Sequence, residues 1–293
     1  MPDLIVAMEQ ALEAFSAGSV VQPVRTVLEV GEHHAFFGLM PAYLASAPAM
    51  GAKLVTVYHT NLERGLPSHL ATIVLLDPET GALDAIVDGR YITEARTAAV
   101  SAVSTKKLAR TDAKVLAILG SGVQAHSHFE ALGHVRRFEE VRAWSPTRAN
   151  LDKFAKETGA RAMASAEDAV RGADVIALVT ASPTPVFEDG WVKQGAHVIS
   201  VGACRPAQQE MDPALVARSR LFVDSRAAAV KESGDVIAAG EKHIVAELGE
   251  AAAARKTDQE ITVFKSLGLA VEDVVAAHLA LNRARQKGRG KEI

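Results

Sequence analysis

Gly120-Ser121-Gly122-Val123-Gln124-Ala125 sets two glycines and a small residue at the spacing of a dinucleotide phosphate loop. Glycines are common, so context decides. The apolar run Val115-Leu116-Ala117-Ile118-Leu119 leads straight into Gly120, and Val123 onward reads as helix. In that setting Gly120 permits the tight turn and Gly122 lets the backbone approach a pyrophosphate. Ala125 is small enough for helix–strand packing. The helix N-terminus at Val123 and Gln124 then offers N–H groups and a positive dipole end to the phosphates.

The second strand discriminates between dinucleotides. An NAD site ends it with an acid for the ribose hydroxyls, about twenty residues past the loop. Here it ends Arg142-Ala143-Trp144-Ser145-Pro146-Thr147-Arg148, with no acid. Ser145, Thr147 and Arg148 are donors suited to a 2′-phosphate, so NADPH is the expected cofactor, with NADH as the alternative. Thr147 as a helix cap beside a solvated Arg148 uses the same groups, and both readings can hold.

The elements that must position this loop are legible from periodicity. Ile5, Met8, Leu12 and Phe15 predict a first helix that Gly18 stops. Val24–Val30, Ala35–Met40, Lys53–Tyr58, Leu70–Asp77 and Ala82–Val87 predict strands, the last two joined at Pro78-Glu79-Thr80-Gly81. Thr93 opens a helix expected to reach Arg110. From Ala113 the apolar runs Lys114–Leu119, Glu139–Trp144, Asp174–Val179, His197–Val201 and Leu221–Val223 alternate with helical stretches, as in a parallel sheet covered on both faces. The fold class is therefore α/β: an α+β domain over 1–112, a Rossmann-type domain over 113–268, and an amphipathic helix over 269–293. The alanine run Ala251–Ala254 is assigned to a helix.

Composition excludes several classes. The 293 residues are 48% hydrophobic and 23% charged, which argues against disorder. A net charge of -3 gives no footprint for nucleic acid or an anionic membrane. No apolar run approaches the roughly 20 residues of a membrane span, and no secretory pattern is visible at Met1-Pro2. Cys204, the single cysteine, fits a reducing compartment, so the cytoplasm is the expected location.

The segments Gln22–Thr26, Lys53–Thr56, Ser68–Thr72, Thr93–Val103, Gly120–His128, Ser200–Asp212, Lys231–Asp235 and Thr262–Asp273 resemble the ornithine cyclodeaminase/mu-crystallin family, in order and over almost the whole chain. Within it the mu-crystallin subgroup, ketimine reductases, is the nearest. The resemblance implies a homodimer joined through the first domains, which also bind substrate, and a C-terminal helix that returns to the first domain. It implies small imino or amino acid substrates whose carboxylate is held by Arg25, Lys53 and Arg96. A desolvated carboxylate needs such charge-assisted partners. Each cation alone also suits a surface charge or structural ion pair. Arg96 stands out on an otherwise apolar helix, and Lys53, opening an apolar strand, has a stem that could snorkel to water.

Cys204 falls where, by the same resemblance, cyclodeaminases and archaeal alanine dehydrogenases carry an aspartate and mu-crystallin a serine. Cyclodeaminases also carry a lysine matching Gln208. A thiol with an ordinary pKa of about 8.5 does not replace a carboxylate base. Reduction of a cyclic ketimine demands less: alignment, a carboxylate anchor, and an imine that can arrive protonated. Cyclodeamination with retained NAD, an alanine dehydrogenase-like reaction and non-catalytic ligand binding remain the alternatives. His69 is a titratable candidate for proton transfer and equally a structural histidine. His126 and His128, two apart on a helix, face different ways and form no metal pair. His33-His34 sits in a turn. Lys231–Asp235 reads as a solvated helix cap from its charges, but the resemblance makes it a buttress for the Cys204 loop. Ser266, within Phe264–Gly268, borders the nicotinamide on the same grounds, or belongs to a loop before the last helix.

Overall fold

The computed structural model describes residues 1–33, 35–47 and 49–291, so His34 lies outside the described residues. Helix α1 (Pro2–Ser16) buries Ile5, Met8, Ala11 and Leu12 and ends before Gly18, whose φ of +75° suits glycine. Strands β1 (Val20–Val21), β2 (Thr26–Val30), β3 (Ala35–Leu44), β4 (Ala49–Val57), β5 (His69–Leu76) and β6 (Leu83–Asp88) form an antiparallel sheet. In it β3 to β6 follow in order, and β1 and β2 both pair with β3. The β5–β6 turn is held by Asp77, whose Oδ1 accepts from the backbone N–H of Glu79 and Thr80 at 2.9 and 2.8 Å.

The two faces of this sheet differ. Met40, Lys53, Ile73 and Val87 lie opposite one another in register, and helix α9 (Ala270–Gln286) packs over β3, β4 and β5. Leu39, Leu54, Thr72 and Asp88 make the matching row on the other face, where Leu28, Tyr43, Leu70 and Ile86 are also exposed. Lys53 does not open its strand. It is the fifth residue of β4 and 2% exposed, so its head does not snorkel to water.

Helix α2 (Gly89–Leu108) begins four residues before Thr93. Asp88 supplies the start, accepting from Arg90 N–H at 2.8 Å, and Thr93 instead donates its hydroxyl back to Gly89 O at 2.7 Å. The chain divides into two compact units, one of residues 6–96 and 269–293, the other of 1–5 and 97–268. Residues 97–108 of α2 belong with the second. There Ser101 Oγ bonds His128 Nε2 at 2.8 Å, and Ser104 Oγ bonds His197 Nε2 at 3.1 Å.

That second unit holds β7 (Val115–Leu119), α3 (Val123–Gly133), β8 (Glu140–Trp144), α4 (Arg148–Thr158), β9 (Arg161–Ala162), α5 (Ala166–Val170), β10 (Val175–Leu178) and β11 (His197–Ser200). It continues through α6 (Pro213–Arg218), β12 (Arg220–Val223), α7 (Arg226–Glu232), α8 (Gly234–Ala239), β13 (Ile244–Glu247) and β14 (Thr262–Lys265). Its parallel sheet runs β13-β12-β14-β11-β10-β7-β8-β9. Every residue of β10, β11 and β14 is buried, which is why those strands read as unbroken apolar runs rather than alternating ones. The chain steps outward from β7 through β8 to β9, then returns to β7's other side with β10. The crevice at that reversal is where open α/β sheets bind ligands.

One expectation fails here, and one strand goes unforeseen. Ala251–Ala254 is turn rather than helix: Ala253 and Ala254 close short turns on Glu250 and Ala252, and Arg220 Nη1 takes Ala254 O. Thr262–Lys265, not among the expected strands, is the interior strand β14, flanked by β11 and β12, so a loop can begin only at Ser266.

Candidate active site

Gly120 has φ of +123°, and a Cβ there would sit 2.9 Å from Val179 O, so the neighbouring chain after β10 forbids a side chain. Gly122 is the N-cap of α3, with no side-chain cap, and a Cβ on it would meet nothing within 4 Å. The loop is thus tight beneath and open above the start of α3, at Val123 and Gln124, and Ala125 is fully buried against the sheet. A pyrophosphate fits that opening.

At the end of β8, Ser145 is half-buried and Thr147 caps α4 without spending its hydroxyl on the helix. Arg148 is exposed and pairs with Asp152 one turn on, Nη2 to Oδ1 at 2.8 Å. His126 pairs instead with Glu157 at 2.9 Å, while His128 is buried. Burial holds the His128 pKa down to about 4 and that of His197 to about 3.

Cys204 lies on the loop after β11. Its thiol donates to Val201 O at 3.1 Å, and its N–H donates to Gln208 Oε1 at 3.2 Å. Below it lies a charge cluster that sequence reasoning missed. Glu210 Oε2 accepts from Gly202 N, Ala203 N and Ser200 Oγ at 2.8, 3.1 and 2.9 Å. Its Oε1 accepts from Thr180 N and Oγ1 at 2.6 and 2.9 Å. Lys265 Nζ donates to Ala203 O at 2.5 Å and pairs with Asp235 at 3.1 Å. Asp235 Oδ1 accepts from Glu210 N and Met211 N, each at 2.9 Å. Burial raises the Glu210 pKa against the pull of Lys265. For Lys265 burial acts downward, but Asp235 and Glu210 outweigh it and raise the pKa.

The solvated-cap reading of Lys231–Asp235 is therefore wrong at its end. Asp235 is 1% exposed, and a Cβ on Gly234 would strike Gln208 O and Pro206 O. The segment does buttress the Cys204 loop. Ser266 is buried at the end of β14, its hydroxyl bonded to Asp224 Oδ2 at 3.2 Å. Asp224 also takes the N–H groups of Leu267 and Gly268 at 2.5 and 2.7 Å.

In the first unit Lys53 and Arg96 come together, and both meet acids on α9. Lys53 Nζ is 2.6 Å from Asp273 Oδ2. Arg96 Nε donates to Asp273 Oδ1 at 2.8 Å and Nη1 to Glu272 Oε2 at 2.7 Å. Burial lowers the Lys53 pKa to about 8; Arg96 and Arg25 push the same way, and Asp273 opposes them. For Asp273 burial acts upward, but Arg96 and Lys53 win and hold its carboxyl below the usual range. Arg25 is half-buried just before β2. His69 begins β5, on the same face as Ile73, with Nδ1 at 3.1 Å from Ser68 Oγ. Glu272 and Asp273 had a signal: acids inside the apolar run Ala270–Val274, the same anomaly that singles out Arg96.

A parallel sheet of eight strands, with an open glycine turn at its reversal point, defines a Rossmann-type dinucleotide-binding α/β protein. The chain matches the model of the ornithine cyclodeaminase/mu-crystallin family over residues 1–288 and belongs to that family. It is 49% identical over 283 residues to the ketimine reductase mu-crystallin of Rattus norvegicus, covering 94% of this chain and 90% of the relative. The Thermococcus litoralis Delta(1)-pyrroline-2-carboxylate reductase, solved with NADH and L-proline, superposes with a TM-score of 0.96 at 38% identity, over 100% of this chain and 96% of the other. An archaeal alanine dehydrogenase dimer with bound NAD gives 0.94 at 32% identity, over 100% of this chain.

Proposed function

We propose that this chain is a nicotinamide-dependent reductase of small cyclic ketimine carboxylates, yielding cyclic amino acids of the proline or pipecolate type. The observation that carries it is the charge at the α9 face. Two buried cations, Lys53 and Arg96, meet at Asp273, and Arg25 lies close enough to help lower the Lys53 pKa, which is the cationic setting a substrate carboxylate requires. The names of the relatives agree with this substrate class.

The glycine turn and the N-terminus of α3 would hold the pyrophosphate of the dinucleotide, whose reduced nicotinamide would supply the hydride for the C=N carbon. Arg96 and Lys53 bind and orient the substrate carboxylate, desolvated among buried groups where the ion pair is strong. A cyclic imine that enters protonated needs no dedicated acid. Cys204 is no base for deamination, because its S–H is already directed to Val201 O. Mixing the protein with reduced cofactor and five- and six-membered cyclic imino carboxylates tests this. Loss of nicotinamide absorbance is expected. No turnover across the panel, or ammonia release from ornithine without net cofactor change, overturns it.

The preference is for NADPH, because Thr147 keeps its hydroxyl available and no acid ends β8. Asp152 competes for Arg148, so the preference is moderate. Arg148→Ala should weaken NADPH by roughly tenfold and leave NADH within about twofold. A homodimer covers the exposed sheet face of Leu28, Leu39, Leu70 and Ile86. Ile86→Lys should shift the mass in light scattering from two chains to one.

A further inference from the structure

We propose that Glu210 and Lys265 are positioning residues, which fix the main chain at 200–204 and so decide where the side chain of residue 204 is presented. The catalytic consequence rests on the reductase reading above; the clamp itself does not. The peptide units around Ala203 are gripped from both sides. Its N–H is held by Glu210 and its C=O by Lys265 Nζ, and the next side chain is Cys204. Ser200 joins the two, donating to Glu210 Oε2 at 2.9 Å with Lys265 Nζ at 3.0 Å from its oxygen. Asp235 holds Lys265 from below and carries the N–H groups at 210 and 211, so both ends of the 200–211 loop share one anchor.

The loop has no slack against β10. A Cβ on Gly202 would lie 1.8 Å from Thr180 O, and Thr180 itself donates twice to Glu210. Apolar packing would bury this loop with less desolvation. Directional bonds to charged groups add what packing lacks, a fixed orientation for each peptide plane. All bonds of the clamp within 202–204 go to main-chain atoms, so it grips the loop whatever side chain stands at 204.

Glu210→Gln is the decisive variant. Both edges of the carboxylate face N–H and O–H donors, so either orientation of the amide turns its NH2 toward donors. Cys204 is the only cysteine, and its alkylation by iodoacetamide reports the loop without reference to activity. The expected result is alkylation about tenfold faster in Glu210→Gln and about threefold faster in Ser200→Ala. For the imine, kcat should fall roughly 100-fold while KM and cofactor Kd stay within about threefold. Alkylation and kcat within about twofold of wild type in the folded variant overturn the clamp. If Glu210→Gln does not fold, unchanged alkylation in Ser200→Ala overturns it instead. A wild type that reduces no imine sinks the functional reading, while alkylation still decides the clamp.

Discussion

Two clusters of buried charge, one in each unit, differ in what completes them. Against α9, Lys53 and Arg96 meet Glu272 and Asp273 side chain to side chain. Beneath the Cys204 loop, one cation faces two acids, and main-chain N–H groups from Thr180, Gly202, Ala203, Glu210 and Met211 complete both carboxylates. Backbone donors cannot leave, so the surplus negative charge is permanently satisfied and the result is rigidity. The ion pairs at α9 are made by side chains, which can rearrange around an incoming carboxylate. The origin of the partners separates a ligand site from a structural clamp.

The comparison is broken most forcefully at Arg96. Arg96→Leu removes the bidentate group from the α9 cluster, and kcat/KM for the imine should fall roughly 1000-fold, from about 4 kcal/mol of lost ionic contact. Lys265→Met, like Arg96→Leu, strands two buried acids, so urea unfolding should register a loss of about 3–5 kcal/mol in either variant, and the substrate constants tell them apart. In Lys265→Met the KM for the imine should stay within about threefold, because no substrate charge is met there.

A smaller effect is read from pH. Lys53, lowered to about 8, loses its proton early, so KM should climb by about tenfold per unit above pH 8. Stability should move oppositely. Between pH 8 and 10.5 the unfolded chain holds the proton that the folded chain has released, so stability rises with pH. Lys53→Arg should abolish both trends in kinetics and in urea titrations.

The smallest effect asks whether acid sensitivity belongs to either cluster. His128 and His197 lie outside both, depressed by burial to about 4 and about 3 from an ordinary 6.5. As pH falls through 6.5 the unfolded chain takes up protons that the folded chain refuses, so stability declines down to about pH 4. From pH 7 to 6 the two sites should cost about 1 kcal/mol, and His197→Gln should remove about half of that slope.

Much of the scaffold was legible because its signals are local. The strand before Gly120 and the glycine loop are contiguous, and Pro78–Gly81 carries its turn chemistry within four residues. Thr93 misled because Thr, like Asp, suits an N-cap; the true cap, Asp88, sits at the end of a strand. Alanine propensity overcalled Ala251–Ala254, where tertiary bonds to Arg220 decide. The site was half legible. Arg25, Lys53 and Arg96 came from resemblance, but Asp273, 177 residues from Arg96, has no local link to it. Lys265 closes the strand Thr262-Val263-Phe264, and a charge in such a run is the trace that partnership leaves in sequence.

The Gly202–Ala203 grip has one more consequence, for inheritance rather than for energy. Because Glu210 and Lys265 hold only main-chain atoms there, a codon change at 204 alters the chemistry offered without disturbing its support. A hydroxyl on that mount can donate to Val201 O as the thiol does. A lineage can therefore explore new reactions at this position one substitution at a time, with the fold already secured.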